Sequence, residues 1–129
     1  MYDNPTVVTY TFNPVDFGAG TYAGSIKAPA GFTGGRILDV GVTEITEAFA
    51  CDATSAKVLL GTTGDADAYA LLDITDATAA TDTFNTQDDD DAIINKFVTN
   101  EQIELTTVQS VDSGTAAGIG SPYVVIAWF

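Results

Sequence analysis

Arg36-Ile37-Leu38-Asp39-Val40-Gly41-Val42-Thr43-Glu44-Ile45-Thr46-Glu47-Ala48-Phe49 is the stretch that decides the fold. Leu38, Val40 and Val42 alternate with other residues, which puts them on one face of a strand. After Glu44 the apolar positions move to Ile45 and Phe49. That slip in phase predicts a bulge, or a long strand that bends from one sheet toward another.

The neighbouring segments read the same way. They are short, rich in Val, Ile, Thr and aromatics, and bounded by Gly, Pro, Asp or Asn. Thr6 to Phe12 alternates, with Val8, Tyr10 and Phe12 on one face, and Gly20 to Lys27 is a weaker strand carrying Tyr22 and Ile26. Ala56 to Gly61 and Ala68 to Ile74 form a hairpin pair around the turn at 62–67. Glu101 to Gln109 alternates with Ile103, Leu105 and Thr107 inward, and Pro122 to Phe129 is an apolar run suited to a strand covered on both sides. One segment looks helical: Asp88 to Phe97 sets Ile93, Ile94 and Phe97 at helical spacing behind four aspartates.

The fold class that follows is all-β, an antiparallel two-sheet sandwich with one short helix, in a single domain over 1–129. Its expected inward residues are Val8, Tyr10, Leu38, Val40, Val42, Leu59, Leu71, Ile103, Leu105, Val125 and Ala127. The last strand can invert this choice, because its run does not alternate.

Charge narrows the function. The 129 residues hold 18 acids and 4 bases, with a net charge of -14. Nucleic-acid binding needs several cations to displace counterions from phosphates. Lys27, Arg36, Lys57 and Lys96 are too few for that, and for an anionic membrane surface. A strongly acidic surface suits a protein that faces solvent and resists aggregation. The start Met1-Tyr2-Asp3-Asn4-Pro5 lacks the basic and apolar pattern of a signal peptide, which points to folding in a cytoplasm.

No constellation singles out an active site. The chain has no histidine, so Cys51 has no imidazole partner and reads as a small apolar filler near a strand end. Ser25, Ser55, Ser110, Ser113 and Ser121 lack a nucleophile-elbow motif. Asp88 to Asp91 could hold a hard cation such as calcium, but the run lacks the alternate spacing and turn glycine of a calcium loop. It reads better as a solvated helix N-cap, and Gly64-Asp65-Ala66-Asp67 as a hairpin turn. Gly18-Ala19-Gly20 and Gly118-Ile119-Gly120 read as turns or bulges. Trp128 with Tyr2, Tyr10, Tyr22, Tyr69 and Tyr123 could stack a sugar, although aromatics embedded in strand patterns are expected in the core. Catalytic, cofactor and metal residues are therefore expected to be none.

Four stretches carry a resemblance. They are Gly31-Phe32-Thr33-Gly34-Gly35-Arg36-Ile37-Leu38-Asp39-Val40-Gly41-Val42, Phe49-Ala50-Cys51-Asp52-Ala53-Thr54, Gly64-Asp65-Ala66-Asp67-Ala68-Tyr69 and Val124-Val125-Ile126-Ala127-Trp128-Phe129. Together they resemble small structural proteins of tailed-bacteriophage virions, of the head decoration or cement type. The resemblance implies a jelly-roll-like sandwich on the outer capsid surface, a major capsid protein as partner, and a homo-oligomer with a trimer favoured. No catalytic residue comes with it. The expected function is a non-enzymatic decoration protein that stabilises a phage head by binding adjacent major capsid subunits. The alternative is a carbohydrate-binding sandwich module of a phage tail or fibre.

Overall fold

The computed structural model describes residues 6–75, 83–99 and 102–129. Its strands are β1 (Thr6–Thr11), β2 (Val15–Asp16), β3 (Ala23–Ile26), β4 (Gly34–Ala50), β5 (Ala56–Gly61), β6 (Ala70–Ile74), β7 (Phe84–Asn85), β8 (Phe97–Thr99), β9 (Ile103–Val108) and β10 (Ala117–Trp128). The larger sheet runs β1-β10-β4-β7, with β2 on β10 and β8 on β4, and the smaller runs β3-β9-β5-β6. All pairings are antiparallel. The expected all-β sandwich is the observed fold.

The pairings have a simple order. β1 pairs with β10, β3 with β9, β4 with β7 and β8, and β5 with β6. That is one long hairpin rolled up on itself, closed at its tip by the turn between β5 and β6. Cross-pairs β10 with β4 and β9 with β5 then complete two sheets. This is the strand order of a jelly roll.

Between the sheets lies the core. Trp128, Phe17, Ile26, Ile37, Ile45, Leu60, Leu72, Ile103, Leu105 and Ile126 are fully buried or nearly so. The phase slip in β4 is real: Thr43 pairs with Ser121 and Glu47 with Ile119, so three β4 residues face one on β10. Glu44 takes a left-handed φ of 52° there, and Ile45 turns into the core. On β10, Gly118 at φ 140° completes the irregularity. A Cβ on it would lie 2.3 Å from the Phe49 ring.

Several expectations are corrected. Leu38 is not inward but 45% exposed. Asp39 pairs with Val125 and Ile37 with Ile126, which leaves Leu38 as the extra residue of a second bulge, and Ile37 takes the core position. Leu59 and Leu71 pair with each other on the outer face, half-buried, while Val58, Leu60, Ala70 and Leu72 fill the core. In an apolar triplet such as Val58-Leu59-Leu60, the alternation alone leaves the phase open. Val125 and Ala127 lie on the outer face, Val125 half-buried and Ala127 buried there as expected, with Val124, Ile126 and Trp128 inside. Val8 and Tyr10 do pack against the core but stay half-buried.

The helix over Asp88 to Phe97 does not form. The segment turns at Asp88 to Asp91 and then extends along the free edge of β6. Leu71 N–H donates to Ala92 O at 2.7 Å, and Ile94 N–H to Tyr69 O at 2.9 Å. Three apolar residues at helical spacing are outweighed by this edge pairing, and a short helix is marginal in isolation.

Candidate interaction surfaces

The outer face of the larger sheet carries the densest set of side chains with functional potential. Register fixes its rows, because directly paired residues share a face. Val7 pairs with Ala127, Ala127 with Arg36, and Arg36 with Phe97. One row thus crosses four strands. Val7 is 56% and Phe97 61% exposed, and the bulged Leu38 and the end residue Phe129 are also solvent-accessible. Apolar exposure of this kind, with an arginine at its centre, resembles the composition of protein interfaces. Lys96 adjoins Phe97, so two of the four cations of the chain belong to this end of the sheet.

The other end of the same face is polar. Tyr123 donates its hydroxyl hydrogen bond to Asp39 Oδ2 at 2.7 Å, and Thr86 Oγ1 donates to Asp39 Oδ1 at 2.9 Å. Gly41 makes room for this: a Cβ there would lie 2.6 Å from the Tyr123 ring. Burial, with the Asp39 hydrogen bond second, pushes the Tyr123 phenol up to about 12. Thr9, Thr11, Thr43, Thr83 and Tyr123 line a shallow open groove beside it.

The singled-out carboxylates are structural in placement. Asp89 Oδ2 accepts the Asp73 amide at 3.0 Å, and its Oδ1 accepts the Asp91 amide at 3.2 Å. Asp88 Oδ2 accepts the Asn85 amide at 2.9 Å. The acidic run thus caps its own turn and the edge of β6. Thr62, Asp65 and Ala68 close the turn between β5 and β6 through backbone hydrogen bonds. Among the described residues, no three acidic or cysteine side chains converge where they could hold a metal ion.

Aromatics behave as core residues. Trp128 is fully buried and donates its Nε1–H to the Tyr10 hydroxyl at 2.7 Å. Tyr69 is buried in the core, Tyr22 packs against it edge-on to Phe12 at 5.9 Å, and Tyr123 is the exception, buried on the outer face of the larger sheet. Tyr2 lies outside the described residues. Cys51 is half-buried and free, just past the end of β4.

Among the serines, Ser55 has the richest surroundings. Its hydroxyl donates to Asp73 Oδ1, and Lys57 Nζ lies 3.3 Å from its Oγ. Lys57 and Asp73 are cross-strand partners, so this cluster ties the start of β5 to the end of β6. Ser110 is buried with its hydroxyl donated to Phe17 O. Ser113 donates its amide at 2.8 Å, and its hydroxyl, to Asp52, which holds that exposed carboxyl below the usual range. Ser25 accepts from Gln102 Nε2 at 2.9 Å, and Ser121 is buried in β10.

Sequence reasoning missed the outer-face row and the Asp39–Tyr123 pair. Both depend on cross-strand register, for which the sequence gives no local signal. No helix among the described residues is long and apolar enough to cross a membrane. Neither a known family model nor a curated protein matches the chain.

Proposed function

We propose that this chain is a non-enzymatic structural protein of a phage virion, a decoration protein on the outer capsid surface. It would stabilise the head by bridging adjacent major capsid subunits, as a homo-oligomer for which the resemblance favours a trimer. The observation that carries this reading is the row Val7–Ala127–Arg36–Phe97 with Leu38 and Phe129 beside it. On a molecule of net charge -14, this is a largely apolar surface with Arg36 within it and Lys96 next to Phe97, suited to burial against another protein. The jelly roll agrees by analogy only, since capsid and lectin domains both use it. Electron microscopy of the source particle with this protein labelled is the test. Label on the head exterior, lost in the F97D variant, supports the reading; label absent from the particle overturns it.

A second reading has its own observation. The groove lined by Thr9, Thr11, Thr43, Thr83 and Tyr123 offers hydroxyl partners to a sugar. Binding on a glycan array that is lost in T43V would favour a carbohydrate-binding module of a tail or fibre.

A further inference from the structure

The sheet edges of this molecule are not treated alike. The free edge of β6 is covered: Ala92 O accepts the Leu71 amide, Asp89 accepts the Asp73 amide, and Ile94 and Asn95 donate to Tyr69 O. On the far side of β4 the edge strands β7 and β8 have only 2 and 3 residues. β3 has 4 residues and is followed by the exposed Lys27. β1 has none of these protections. Its 6 residues, TVVTYT, include no charge and no proline, and they pair with β10 without a register shift. Natural edge strands of this length are ordinarily blunted, because unpaired N–H and C=O groups invite another strand.

Which groups are unpaired follows from the register. Phe12 N–H donates to Pro122 O at 2.9 Å, so Phe12 and every second residue before it point their backbone groups at β10. The N–H and C=O groups of Val7, Thr9 and Thr11 therefore point away from the sheet. None of them has a hydrogen-bond partner among the described residues outside the strand ladder. These three residues are symmetric about Thr9.

We propose that β1 pairs antiparallel with β1 of a second copy, across a two-fold axis at Thr9. Thr9 then exchanges both backbone hydrogen bonds with Thr9 of the other copy. Val7 and Thr11 of each copy do the same with Thr11 and Val7 of the other. On the inner face Val8 meets Tyr10, a β-branched and aromatic pair. Both are left half-buried in the single chain, although they point toward the core. The choice of a second copy rests on this self-complementary set and on charge. A partner of net charge -14 can approach closely only where no carboxylate faces it, and β1 carries none. Screening by salt should tighten the contact.

The contact uses the backbone edge of β1 and the shell-binding row uses outward side chains; Val7 belongs to both, by its backbone here and its side chain there, and the pairing does not rest on the shell-binding reading. Alone it builds a dimer; a trimer needs another surface. Sedimentation equilibrium of the purified protein at low and high salt is the first measurement, with amide exchange at two protein concentrations as the second. The expected result is a dimer that tightens with salt, with Val7, Thr9 and Thr11 amides better protected at the higher concentration. T9P removes an amide that β10 does not use, and T9K places a charge on the edge. Each should raise the dissociation constant at least about tenfold, while T46K, at an exposed position on β4 away from that edge, should leave it unchanged. A monomer under all conditions, a trimer or other assembly that withstands both β1 variants, or concentration-independent exchange at those three amides overturns the proposal. Binding of T9K to the particle reads out the shell contact independently.

Discussion

Tyr123 on β10 and Asp39 on β4 are joined by a 2.7 Å hydrogen bond on the outer face of the larger sheet, beside the bulge that expels Leu38. The phenol is largely buried, so its ionisation is opposed in the fold and not in the unfolded chain.

Alkaline stability should report this pair. The folded phenol is raised to about 12 from an ordinary 10.0, so its contribution is complete below about pH 10 and is lost as pH rises toward 12. Y123F should lower stability by about 1 kcal/mol at neutral pH and flatten that alkaline slope. Urea midpoints across the alkaline range give both readouts.

Gly118 is predicted to be intolerant. G118A puts a Cβ 2.3 Å from the Phe49 ring, at a φ of 140°. Strain and crowding together should cost about 2–4 kcal/mol. The double variant G118A/F49A should not recover the loss in full, because it relieves the crowding and leaves the backbone conformation. Thermal melts of the three variants test this.

Leucine truncations should separate the two faces of the smaller sheet. L60A and L72A remove fully buried side chains and should cost about 2–5 kcal/mol each. L59A and L71A, half-buried on the outer face, should cost about 1 kcal/mol or less. Equal losses from all four would contradict the register of β5 and β6.

Within the acidic run, the four aspartates should behave differently. D89A removes the acceptor for the Asp73 and Asp91 amides and should cost about 1 kcal/mol, with faster exchange at the Asp73 amide. D90A should be nearly neutral. Calcium should leave the melting temperature of the native protein unchanged; a marked rise that D89A abolishes would restore the cation reading.

Legibility in the sequence followed the range of the determining interactions. The β5–β6 hairpin and β1 were readable because a local turn or a clean alternation specifies them. The bulge near Glu44 was readable because it shifts the apolar phase within one strand. Leu38 was misplaced because its bulge is defined only against Val125 and Ile126. Asp88 to Phe97 was misread because its backbone partners, Tyr69 and Leu71, are remote in sequence. The outer-face row was invisible for the same reason: Val7, Ala127, Arg36 and Phe97 become neighbours only through three strand pairings. Phe97 looked like the inner face of a helix, and it is a solvent-facing strand residue.

Rolling the hairpin up on itself has a kinetic consequence. β10 is the shared partner of β1, β2 and β4, so the larger sheet cannot assemble until that strand arrives, with β1 more than a hundred residues away. Closing so distant a contact is entropically slow, and refolding should fall in the millisecond-to-second range of all-β topologies. Until then the 17-residue β4 lacks its main partner. During synthesis that strand is the segment most exposed to mispairing, and the acidic charge of the chain would keep such intermediates apart.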